Sequence, residues 1–130
     1  MTWLNHYLAA TYEDGARGPH KYDCFGVVRE VLHERYGWPL MPEFGALRHS
    51  DPKSMTVAQR ETVSTMRICE PADGVLACVF RGVLMIHVAC VIDMDSGLFV
   101  LEINPKQGAR LSRVSDFERT HLRVVYYDGR

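Results

Sequence analysis

The spacing of apolar residues along the chain changes once, near Pro71. Before that point it is helical. Trp3, Leu4, Tyr7 and Leu8 outline a short helix, and Val27, Val28, Val31, Leu32 and Tyr36 outline a longer one with a single face to bury. Met55, Val57, Ala58, Val63 and Met66 are less regular and predict a helix from about Pro52 to Met66. After Pro71 the apolar residues fall into runs of strand length: Val75 to Phe80, Val83 to Ile92, Leu98 to Asn104, Ala109 to Val114 and Leu122 to Tyr127. Arg81-Gly82, Asp93 to Gly97 and Pro105 to Gly108 supply the turns between them. Glu13 to Pro19 reads as a turn-rich loop, and Pro39, Pro42, Gly45 and Pro52 mark an irregular connection. Helices followed by a meander of short antiparallel strands predict an α+β fold. A length of 130 residues suits one core, and no repeat or linker divides residues 1–130.

The longer helix has clear ends. Asp23 is a good N-cap, because its carboxylate can accept from the unpaired N–H groups that follow. Gly37 supplies a stop, and Pro39 prevents the helix from resuming. Cys24 therefore falls in the first turn, at the positive end of the helix dipole, where a thiolate is favoured. The same free N–H groups suit an oxyanion formed by attack on a carbonyl. A packing cysteine at a helix start is the competing reading of this stretch.

Composition narrows the rest. With 47% apolar residues and a formal net charge of −1, the chain has no electrostatic case for nucleic acid or an anionic membrane surface. No apolar run is long enough to span a bilayer, since Val83 to Val91 is short and interrupted by His87. The amino end lacks the pattern of a secretory signal, so cytoplasmic synthesis is expected. In that setting Cys24, Cys69, Cys78 and Cys90 read as reduced thiols, with Cys78 and Cys90 buried in strands.

A nucleophilic thiol needs a base, and His87 lies in the apolar run from Leu84 to Val91. It reads either as a satisfied core histidine or as that base. Glu102 and Asn104, two apart on the next strand, share a face, and either can reach the second imidazole nitrogen. Cysteine, histidine and an orienting polar group then follow the papain-type chain order. His6, His20, His33, His49 and His121 are scattered and read as surface residues. His87 and Cys90 have ligand-like spacing, but positions three apart on a strand face opposite ways, which argues against a shared zinc.

Tyr22-Asp23-Cys24-Phe25-Gly26-Val27-Val28 resembles the Asp-Cys-x-Gly-hydrophobic motif of the NlpC-type cell-wall cysteine peptidases, which are papain-like. His87-Val88-Ala89-Cys90-Val91 is similar to that family's Gly-His-Val-Gly-Ile strand, and Pro71-Ala72-Asp73-Gly74 to its Pro-Gly-Asp strand entry. Tyr12 to Gly18 and Arg35 to Leu40 resemble the phage-tail-associated branch most, and the likeness runs from about Trp3 to the last strand. The resemblance implies a papain-like fold with Cys24 as nucleophile and His87 as base, and no metal or organic cofactor. It implies a third residue near the end of the following strand; Asn104 is favoured, with Glu102 open. Tyr22 and Asp23 would line the substrate cleft, with Tyr22 as a helix-start staple the alternative. The implied substrate is a peptidoglycan stem peptide, often cut between D-glutamate and a diamino acid, and phage tail proteins are the implied partners, with the virion tail a second location. A tail-assembly protein without turnover, and an acyltransferase or amidase using the same pair, are rival readings. Phe25 stands where the family has a small residue, Ile86 replaces the glycine before the histidine, and Ala89-Cys90 replaces a Gly-Ile pair. A bulky Phe25 beside the nucleophile is expected to narrow the cleft or alter its specificity.

Overall fold

The computed structural model describes residues 2–44, 48, 50–121 and 123–130. Gly45 of the irregular connection, His49, and Leu122 at the expected start of the last strand lie outside the described residues. Helix α1 (Thr2–Leu8) buries Leu4 and Tyr7. Two short strands, β1 (Thr11–Tyr12) and β2 (Lys21–Tyr22), pair in parallel and bracket the loop that leads to the cysteine. Helix α2 (Cys24–Tyr36) follows with the expected ends. Asp23 is extended and its side chain accepts from the Gly26 N–H, while Gly37 adopts a left-handed φ of 72° that closes the helix. Val27, Val28, Val31 and Leu32 form its buried face.

Helix α3 (Pro52–Val63) ends three residues earlier than its apolar pattern extends. Its buried residues include Thr56 and Gln59 as well as Met55 and Ala58, whereas Val57 is exposed. Thr56 is buried because its hydroxyl accepts from the Met85 N–H at 2.8 Å, tying the helix to the sheet. The polypeptide then forms β3 (Arg67–Cys69), β4 (Leu76–Arg81), β5 (Leu84–Met94), β6 (Gly97–Asn104), β7 (Gly108–Arg113), helix α4 (Val114–Thr120) and β8 (Arg123–Asp128). Cys69, which follows the helix predicted from Pro52 to Met66, belongs to β3.

The six strands β3 to β8 make one antiparallel sheet in the order β3-β8-β4-β5-β6-β7. The meander from β4 to β7 is the expected one. The last strand does not extend it but returns to lie between β3 and β4. Alternation along the strands divides the core in two. Cys78, Val88, Cys90, Ile92, Leu101 and Ile103 pack with the buried face of α2, and Ala77, Val79, Ala89, Val91 and Val100 pack with Phe117 of α4. Helix and sheet segregate as the α+β reading requires. Among the described residues, no helix is long and apolar enough to cross a membrane.

Two irregularities concern the site. The β4–β5 register passes from Val79↔His87 to Phe80↔Met85, so Ile86 is an extra residue and a bulge adjoins His87. Such bulges re-aim neighbouring side chains. The β5–β6 ladder runs from Met94↔Gly97 to Cys90↔Leu101 and stops short of His87 and Glu102. Beyond that point Glu102 to Asn104 pair only with β7.

Candidate active site

The start of α2 is held by a buried acid. Asp23 Oδ1 accepts from the Gly26 N–H at 2.8 Å and from Arg17 Nη1 at 2.6 Å, and its Oδ2 accepts from the Gly15 N–H at 3.1 Å. One carboxylate thus caps the helix and fastens residues 15–17 against it. Gly26 is required by the same closeness, because a Cβ there would meet the Ala16 carbonyl oxygen at 2.6 Å. In the first turn the Gly26 N–H goes to Asp23 Oδ1, and the Val27 N–H goes to the Asp23 carbonyl. As the first two helical residues, Cys24 and Phe25 have N–H groups with no intrahelical acceptor.

These contacts correct two expectations. Tyr22 does not line a cleft: it is fully buried, and its hydroxyl donates to Glu30 Oε2 at 2.6 Å. It packs against Tyr7, whose hydroxyl donates to the same carboxylate oxygen at 2.7 Å. Asp23 is 4% exposed, with its oxygens committed to Gly15, Arg17 and Gly26. Both residues build the helix start and present nothing to a substrate. Nor does Phe25 narrow a cleft, for it is buried in the core with its ring against Phe44.

Cys24 and His87 are brought together, with the thiol near enough to act on the charge of the imidazole. Cys24 itself is 3% exposed. The His87 Nε2–H donates to Glu102 Oε1 at 3.0 Å, which leaves Nδ1 for the sulfur. Asn104, favoured from the sequence as this partner, does not hold it. Its Oδ1 instead accepts from the N–H groups of Lys106 and Gln107, at 3.0 and 2.8 Å, and so folds the β6–β7 turn. An Asx turn satisfies the amide locally, whereas the Glu102 side chain, one methylene longer and clear of the turn, spans to the imidazole.

Burial pulls the His87 imidazole down, but Cys24 and then Glu102 outweigh it and raise its pKa from 6.5 to about 9. The folded value exceeds the unfolded one, so this proton contributes stability that is complete below pH 6.5 and is lost as pH rises through about 9. Thermal midpoints at pH 6 and pH 9.5 should therefore differ in favour of the lower pH, and His87→Gln should reduce that difference. An unchanged difference in the variant would show that His87 does not carry it. Burial pushes the Cys78 and Cys90 thiols up to about 12, so both stay protonated and inert near neutrality, as their strand positions predict.

A cleft of about 460 Å³ opens on the His87 side of the pair, lined by His87, Glu102, Asn104, Arg81, Lys106 and His121 among others, while Cys24 is not part of its lining. His121 is a surface residue in the sequence reading, yet its ring is half-buried, 4.6 Å from Phe117 and 6.1 Å from His87 between centroids. Burial and the nearby His87 lower its pKa, which keeps it neutral beside the imidazolium. Arg110, from β7, sits with its Nε 3.9 Å from Glu102 Oε2. Nothing in the sequence near positions 110 and 121 marked them; only the strand register and α4 bring them here. Among the described residues, no group of three or more His, Cys, Asp or Glu side chains is placed to hold a metal ion. No protein-family model matches the chain, and no curated protein matches it either.

Proposed function

We propose that this protein is a papain-like cysteine hydrolase that cleaves an amide bond in bacterial cell-wall stem peptides, in association with a phage or prophage tail. The observation that carries the reading is a thiol in the first turn of α2 beside an imidazole whose Nε2–H Glu102 holds, an arrangement that raises the imidazole pKa and favours its charged form. An imidazolium next to that thiol stabilises a thiolate, the form that attacks carbonyls. In this mechanism Cys24 Sγ bonds to the carbonyl carbon, and the oxygen takes the negative charge within reach of the Cys24 and Phe25 N–H groups. His87 then gives its proton to the departing amine as the C–N bond breaks, leaving a thioester. Water, deprotonated by the now neutral His87, attacks the thioester carbonyl, and the carboxylic product leaves as the thiolate–imidazolium pair is restored. Arg81 and Lys106 at the cleft suit a peptide rich in carboxylates, as stem peptides are.

The burial of Cys24 supports a second reading, a tail-assembly protein that keeps the fold without turnover. Incubation with purified peptidoglycan and with synthetic stem peptides separates the two. The hydrolase reading expects a newly exposed amine with the wild-type protein and none with Cys24→Ala. Absence of product on both substrates, or equal product from the variant, rejects it.

A further inference from the structure

Glu102 is a nearly buried carboxylate, its side chain 6% exposed, and a buried charge is tolerated only where other charges and donors compensate it. His87 compensates it only while protonated. During turnover the imidazole gives up its proton, and at that moment the carboxylate needs a second cation. The β6–β7 register puts Arg110 directly opposite Glu102, so the two side chains share a face. Arginine remains charged throughout the accessible pH range. Its guanidinium is anchored on its other side, where Nη1 donates to Gln107 Oε1 at 2.5 Å. Asn104 folds the turn that carries Gln107, and its Nδ2 donates to the same Gln107 oxygen at 3.4 Å. The turn residue that the sequence reading put on the imidazole thus stands at the far end of the same chain of contacts.

We propose that Arg110 is a positioning residue of the site, holding Glu102 ionised and aimed at His87 so that cysteine, histidine, glutamate and arginine act as one chain. The inference rests on the reading of Cys24 and His87 as an activated pair. The groups facing Glu102 are His87 from β5, Arg110 from β7 and His121 after α4, with Cys24 beyond His87. Asp116 of α4, which lines the neighbouring hollow with Glu102 and Arg110, is itself paired with Arg119 at 3.2 Å. Arg81 and Lys106 line the same cleft, but among the described residues Arg110 is the permanent cation that pairs with Glu102.

The test is the pH dependence of Cys24 alkylation by iodoacetamide, followed by peptide mapping, which needs no substrate. Without the Arg110 charge, Glu102 loses the partner that holds it across the strand pair, its carboxylate is no longer aimed at His87, and the imidazole supports Cys24 less well. Arg110→Gln should move the acid limb of the alkylation profile upward by about one pH unit. Arg110→Lys, which keeps the charge, should restore most of that shift. In a Glu102→Gln background, Arg110→Gln should move the limb no further. A folded Arg110→Gln protein whose profile overlays the wild type would overturn the proposal, as would a full shift persisting without the Glu102 carboxylate. Peptide hydrolysis is scored separately, so a protein that shows these shifts but cuts no stem peptide loses the hydrolase reading and keeps the Arg110 assignment.

Discussion

Glu102→Gln should lower kcat/KM on a cleavable stem peptide on the order of 10²-fold, while Asn104→Ala leaves it within a few-fold of wild type. The reasoning is electrostatic. Glutamine preserves the length of the side chain and can still accept from His87 Nε2–H, now 3.0 Å from Glu102 Oε1. It cannot neutralise an imidazolium, and Glu102 is one of the two groups that raise the histidine pKa against its burial. Losing that support lowers the imidazole pKa and leaves less imidazolium beside Cys24 at neutral pH. Asn104→Ala removes two acceptor contacts to backbone N–H groups in an exposed turn, which costs about 1 kcal/mol of stability and leaves the imidazole untouched. Steady-state kinetics on the two variants decide the matter, and the reverse pattern would return the third position to Asn104.

The second large effect is on folding. Asp23→Ala should destabilise the protein by about 3–5 kcal/mol, because it breaks a buried ion pair with Arg17 and removes the helix cap at once. The side chains of Arg17 and Asp23 are 13% and 6% exposed, so solvent does little to relieve the stranded guanidinium. For a chain of this size the thermal midpoint should fall by 10 °C or more, on the order of several degrees per kcal/mol. Asp23→Asn keeps a capping oxygen while losing the charge and should fall between wild type and alanine. A midpoint for Asp23→Ala within about 2 °C of wild type, too small a change for a buried pair, would contradict this account of the loop.

The parts of the fold that could be read beforehand are those with strong local signals. Helix α2 has a cap at Asp23, an uninterrupted apolar face and a glycine stop, and it runs from Cys24 to Tyr36 as these signals dictate. The strands of the meander were equally legible, although β5 continues through Met94 where a turn was expected from Asp93. β1, β2 and β3 have two or three residues each, too few for any period to appear. Helix α4 is seven residues long and buries only Phe117, and its first residue, Val114, fits the apolar run of the preceding strand equally well. The position of β8 beside β4 is a long-range pairing that no local pattern records.

The site followed the same division. The cap at Asp23 puts Cys24 in a first turn, which suits a nucleophile or a packing cysteine, and the apolar strand around His87 suits a base or a satisfied core histidine. The choice between Glu102 and Asn104 could not be settled by alternation, which gives both the same face. It was decided by turn chemistry, since Asn104 precedes Pro105 and uses its amide to close the turn. Tyr22 and Asp23 illustrate the converse. The family resemblance puts both on the substrate cleft, whereas a helix start packed under residues 15–18 needs a buried acid and a buried ring there.

The central claim is that Cys24 is a nucleophile served by His87. The most direct measurement is acid-quenched mass spectrometry of the protein during turnover of a synthetic stem peptide, with the tryptic fragment spanning residues 22–29 as the readout. The account predicts that this fragment gains the mass of the acyl half of the peptide, that Cys24→Ala gives neither adduct nor product, and that His87→Ala slows adduct formation. Cleavage of the peptide by Cys24→Ala, or an acyl group found on Cys69 instead, would contradict it.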